Sequence, residues 1–86
     1  MKITLKLFGG LEKYLPQNAK NNQASIDVEA KYHVDQLLDY FGIPVDQRHL
    51  VMLNGVHIAP RDRAEKKLSE SDSLAVWPPS TGWNTG

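Results

Sequence analysis

The residues best suited to chemistry are the last ones, Trp77-Pro78-Pro79-Ser80-Thr81-Gly82-Trp83-Asn84-Thr85-Gly86. Two prolines fix φ and lack backbone donors, so the chain has to leave any sheet there, stiff and extended. Behind them, Gly82 and Gly86 carry no Cβ and suit a channel too narrow for other residues. A terminal glycine carboxylate is also the least hindered one a chain can offer to an activating enzyme. The chemistry open to such an arm is therefore acyl activation and transfer. Taken alone, the segment reads as a frayed end; the body of the chain has to decide.

Other sources of chemistry are thin. With no cysteine, disulfides, thiolate nucleophiles and Cys-ligated zinc are excluded together. His33, His49 and His57 have no metal-ligand spacing and read as surface or half-buried histidines, so no metal and no bound cofactor are expected. Gly9-Gly10 follows an alternating run, but neither GxGxxG nor GxxxxGK[ST] is present, and the pair reads as a strand terminator. Arg61, Arg63, Lys66 and Lys67 are interleaved with Asp62 and Glu65 and read as a solvated loop.

The remaining composition narrows the class further. Eighty-six residues with ten basic and ten acidic side chains make one small domain whose single core is only just sufficient. The balanced charge gives no reason to expect nucleic acid or an anionic membrane as a partner. The opening Met1-Lys2-Ile3-Thr4-Leu5-Lys6-Leu7-Phe8 alternates in polarity and is no signal peptide, and no stretch is long enough to span a bilayer. A cytoplasmic location is the resulting expectation.

The elements that must position the tail follow from periodicity. Ile3, Leu5 and Leu7 alternate with Lys2, Thr4 and Lys6, the period of a half-buried strand. Leu11, Tyr14 and Leu15 sit at helical spacing before Pro16, and Gln17 to Gln23 reads as an exposed, mobile loop. Ala24, Ile26 and Val28 predict a second strand, antiparallel to the first. Val34, Leu37, Leu38 and Phe41 fall at i, i+3, i+4 and i+7, with Asp35, Gln36 and Asp39 on the other side. Gly42 suits the left-handed position after the helix, and Pro44 follows. Leu50 to Leu53 is an inner strand, Asn54-Gly55 a tight hairpin turn and Val56 to Ile58 the return. Leu74 to Trp77 is the last strand.

This order predicts an α+β fold, a mixed sheet of four to five strands grasping one main helix. A helix between strands two and three leaves the first and last strands free to lie parallel and central, so the tail leaves from mid-sheet. The division expected is a folded domain over 1–79 and a flexible tail over 80–86. If Ile3, Leu5, Leu7, Leu74 and Val76 face the helix, then Phe8, Ala75 and Trp77, with Met52 or Leu50, lie on the opposite face. An exposed aromatic and methionine patch marks a protein interface; the alternative is that residues 9–23 fold over and cover it.

These segments, in this order, resemble the MoaD/ThiS family of ubiquitin-like sulfur carriers, the small subunit of molybdopterin synthase and its thiamine counterpart. The resemblance covers nearly the whole length: Leu5-Lys6-Leu7-Phe8-Gly9-Gly10-Leu11 with Tyr14-Leu15-Pro16, Leu37 to Pro44, Val51-Met52-Leu53-Asn54-Gly55, and Leu68 to Pro79. The Pro-Pro ending looks more like the molybdopterin branch. The resemblance implies a ubiquitin-like β-grasp carrier, not an enzyme, monomeric when free. Its terminal glycine would be adenylated by a ubiquitin-activating-type enzyme using ATP and converted to a thiocarboxylate. The sulfur would then pass to an acceptor such as a molybdopterin-synthase large subunit, in molybdopterin, tungstopterin or related cofactor biosynthesis.

One departure bears on the reactive end. Family members typically finish Pro-Pro-x-x-Gly-Gly; here Gly82 matches the first glycine, Trp83 replaces the second, and three residues follow. Three readings stay open: Gly86 is the working terminus of a longer arm, the end is trimmed to Gly82, or the carrier function is lost and a β-grasp binding module remains.

Overall fold

The computed structural model describes residues 1–29 and 32–79. The alternating N-terminal run forms β1 (Lys2–Leu7), with Ile3, Leu5 and Leu7 buried. Strand β2 (Gln23–Asp27) pairs with it antiparallel, Leu5 opposite Ala24 and Ile3 opposite Ile26. Helix α1 (Val34–Tyr40) follows, then β3 (Leu50–Leu53), β4 (Val56–His57) and β5 (Ser73–Trp77). Short 3₁₀ turns cover Leu11–Tyr14, Val45–Gln47 and Pro60–Asp62.

The sheet order is β2-β1-β5-β3-β4. Strand β5 lies parallel to β1, with Leu5 beside Leu74 and Leu7 beside Val76, and antiparallel to β3. The mixed sheet and single α-helix are those the periodicities predict, with the first and last strands adjacent and central. The core is one cluster in which Leu5, Leu7, Leu74 and Val76 meet Val34, Leu37 and Leu38 of the helix. Burying one side of the sheet beneath an amphipathic helix is the arrangement that removes most apolar surface from water in so short a chain. The predicted turns hold as well: Asn54 and Gly55 both have positive φ, as a two-residue hairpin requires, and so does Gly42 after the helix.

Two expectations are corrected. The stretch Gln17 to Gln23 is largely exposed, as read from the sequence, but it is built around a hydrogen-bonded turn and not left as a free loop. Asn21 and Asn22 adopt φ of 54° and 65°, and Lys20 and Gln23 exchange both backbone hydrogen bonds across them (2.9 and 3.0 Å). Asparagine tolerates the left-handed region better than most residues, and the Asn22 amide also donates to the Leu7 carbonyl (3.1 Å). This small hairpin ties the segment to the end of β1.

The second correction concerns Arg63, which is not part of a solvated basic loop. It is 4% exposed. Its Nε donates to the Ile58 carbonyl (3.0 Å), and its two terminal nitrogens to the carbonyls of Arg48 (2.6 Å) and His49 (3.3 Å). Arg61, Lys66 and Lys67 do stay exposed. The whole segment is a strap over the start of α1, where the N–H groups of Val34 and Asp35 donate to the carbonyls of Lys66 (2.9 Å) and Arg63 (3.1 Å). These would otherwise be orphan donors of the first helical turn. Gln36 adds a reciprocal cap by accepting from the His33 N–H (2.8 Å).

Arg48, 6% exposed, sits next to Arg63. It bonds Asp35 (3.1 Å), Asp39 and the Ile43 carbonyl. Burial pushes the Arg63 guanidinium below its ordinary value; Asp35 opposes that shift and the like charge of Arg48 adds to it. Among the described residues no buried side-chain polar atom lacks a hydrogen-bond partner.

Candidate functional site

The candidate site is the end of the sheet from which the chain departs. Trp77 closes β5 between β1 and β3, and two bonds hold that end in place. The Phe8 N–H donates to the Val76 carbonyl (3.1 Å), and the His49 N–H to the Trp77 carbonyl (3.1 Å). Pro78 and Pro79 follow, both half-buried, and carry no N–H to continue a ladder. Strand β3 is paired with β5 to its last residue, Leu50 opposite Trp77, and β1 to the residue before it, Leu7 beside Val76, so the exit is flanked by structure on either side.

The side chains facing away from the helix assemble across three strands. Ala75 lies beside Lys6 on one side and Met52 on the other, and Trp77 beside Leu50. The Phe8 and Trp77 rings stack with centroids 4.7 Å apart and planes 10° from parallel, an offset geometry that aromatic pairs favour. Phe8, Leu50, Met52, Ala75 and Trp77 are all half-buried. The structure thus brings the four residues singled out from parity, Phe8, Met52, Ala75 and Trp77, onto one face, with Leu50 completing the row. The apolar side chains of residues 9–23 are directed to the core. Leu11 is buried in the core cluster, and Tyr14, Leu15 and Ala19 pack against it.

Beside the exit runs a shallow cleft of about 500 Å³ between Gly9–Tyr14 and Pro44–Gln47, with Lys13 and Asp46 among its walls. The backbone N–H of Gly10 is already taken by the Glu12 carboxylate (2.6 Å). The histidines do not converge, and among the described residues no group of three or more potential ligands comes together to hold a metal ion. No helix of the described residues is long and apolar enough to cross a membrane.

Ser80, Thr81, Gly82, Trp83 and Gly86, and with them both candidate reactive termini and the expected mobility of the tail, lie outside the described residues. The contact that sequence reasoning missed at this site is between Gly9 and Pro78, two residues from opposite ends of the chain. Periodicity within either segment carries no signal for it.

Comparison with known proteins gives a consistent set. The family described as Mut7-C ubiquitin matches residues 1–83. No curated protein matches the chain by sequence. Among solved structures, SAMP1 from Haloferax volcanii is similar at 22% identity with a TM-score of 0.64, over 95% of this chain and 99% of that one. A putative molybdopterin converting factor subunit 1 from Pyrococcus furiosus is similar at 17% identity and a TM-score of 0.64, over 91% and 97%. A chain from the protein–protein complex of subunits 1 and 2 of the molybdopterin-converting factor from Helicobacter pylori is similar at 16% identity and a TM-score of 0.53, over 95% and 99%. At these identities the structures establish the ubiquitin-like β-grasp fold. The family match runs through β1, the helix, the Asn54-Gly55 hairpin and the Pro-Pro exit, and the chain belongs to the Mut7-C ubiquitin family.

Proposed function

We propose that this protein is a sulfur carrier that acts as a substrate of other enzymes and performs no catalysis itself. The observation that carries the reading is the position of the exit. The chain leaves the central strand at Pro78 and Pro79, beside the face of Phe8, Met52, Ala75 and Trp77 on which a partner can seat itself. A partner docked on Phe8, Met52, Ala75 and Trp77 would have the arm beginning at its own surface. Holding the body while a slim end enters an active site converts a bimolecular reaction into a positioned one.

In this reading a ubiquitin-activating-type enzyme binds the face and uses ATP to convert the glycine carboxylate to an acyl-adenylate, releasing pyrophosphate. Hydrosulfide from a sulfide-level donor then attacks the acyl carbon and expels AMP, and loss of its proton leaves a thiocarboxylate. An acceptor enzyme of the molybdopterin-synthase large-subunit kind receives the sulfur on the same docking face. Subunit 1 of the Helicobacter factor is seen in complex with subunit 2, which supports a two-protein arrangement here.

A second reading has its own observation: Trp83 stands where the family pattern has its last glycine. An indole in a channel shaped for glycines would clash, and a chain that kept only the fold and the face would be a protein-binding module. Intact-mass measurement after incubation with a family activating enzyme, ATP and a sulfur donor separates the two. An oxygen-to-sulfur gain is expected; an unchanged mass with several such enzymes favours the module. Deleting residues 83–86 then assigns the carboxylate. Loss of the mass gain identifies Gly86, while a gain retained on the shortened chain identifies Gly82.

A further inference from the structure

We propose that Gly9 is a positioning residue for the tail, setting the direction in which the chain leaves the body at Pro78. The inference rests on the carrier reading for its functional consequence but not for its geometry. A Cβ built on Gly9 would lie 2.7 Å from both Cδ and Cγ of Pro78, closer than carbon atoms approach without something moving. The proline ring therefore lies directly over the bare Cα. Gly9 also has φ of +65°, so the backbone conformation and the space above it both call for glycine.

Neither partner is free to yield. Phe8, the residue before Gly9, is bonded to the Val76 carbonyl and stacked on Trp77, the residue before Pro78. Trp77 is bonded through its carbonyl to His49. Proline fixes its own φ. With the residue before each of them anchored, a methyl group at position 9 is accommodated by turning Pro78, and the direction in which the chain leaves the sheet turns with it. Gly10 makes the distinction clean. It shares a positive φ, +98°, but a Cβ there meets nothing within 4 Å. Backbone strain is common to the two glycines, and the collision with Pro78 belongs to Gly9 alone.

The chain has no cysteine, so a pair of spin labels can be placed on Ser25→Cys, on the exposed part of β2, and Thr81→Cys in the tail. In the full chain, Gly9→Ala is expected to shift or broaden the distance distribution between the labels, and Gly10→Ala to leave it as in the parent. Thiocarboxylation of the unlabelled protein should fall by about ten-fold or more with Gly9→Ala, because small misplacements of a reacting group cost rate steeply. On a Pro78→Ala background, where the colliding Cδ and Cγ are gone, Gly9→Ala should add nothing further to the distance change. An unchanged distance in Gly9→Ala, an equal shift in Gly10→Ala, or a Gly9→Ala effect that persists without the proline ring would each overturn the proposal. A parent protein that no activating enzyme modifies would instead sink the carrier reading, and the label distances would still decide the role of Gly9.

Discussion

Trp77 combines two roles in one residue. Its backbone is the last part of the sheet, and its ring is the centre of the outward face, stacked on Phe8 and beside Leu50. Removing the ring leaves the helix–sheet core, which lies on the other face, intact. Trp77→Ala is therefore expected to weaken binding to an activating or acceptor enzyme by ~2 kcal/mol or more, the usual cost of truncating a tryptophan anchor, with a smaller loss of folding stability. Titration calorimetry against the partner and a melting curve of the free protein measure the two effects. A larger effect on melting than on binding would show the ring to be a structural plug. The parity of this residue was readable from Leu74-Ala75-Val76-Trp77, because alternation is a local property of a strand. That Phe8 shares its face was readable too, since Phe8 continues the alternation of β1 by one residue. The contact of Gly9 with Pro78 was not, because it depends on two strands ending at the same level.

At the scale of elements, the strap from Pro60 to Leu68 is where local pattern misled. Arg61, Arg63, Lys66 and Lys67 look alike in sequence, yet Arg63 is enclosed by the carbonyls of Ile58, Arg48 and His49. An arginine is buried only where several acceptors are assembled around it, and here they come from two separate segments, Arg48-His49 and Ile58. Helix α1 was legible from Val34, Leu37 and Leu38, but not its dependence on the strap for capping. Arg63→Ala should cost about 3 kcal/mol in denaturant unfolding, the range for removing a charged donor from buried acceptors, while Arg61→Ala should stay within about 0.5 kcal/mol as an exposed substitution. Equal effects for the two would mean that water replaces the guanidinium without loss.

For the molecule as a whole, the topology makes the sheet dependent on its last strand. Strand β5 pairs with both β1 and β3, and without it the sheet divides into two hairpins that cannot cover a core; isolated hairpins are marginal in water. A chain ending at Asp72 should therefore lack a cooperative thermal transition, and adding Ser73–Trp77 as a separate peptide at high concentration should restore it. A truncated chain that still melts cooperatively would show that β1, β2 and the helix suffice. The mixed sheet itself was foreseeable from element order, because one crossover helix allows the chain's first and last strands to run side by side.

That parallel pairing of β1 with β5 has a consequence for synthesis on the ribosome. The N-terminal strand waits, unpaired on one side, until nearly all the chain described here has been made, and long-range pairing of this kind is slow to form. A nascent or prematurely stopped chain lacks the folded face of Phe8, Met52, Ala75 and Trp77. On the carrier reading, an activating enzyme that grips that face before it reacts with the arm would pass over chains in which β5 has not yet joined β1.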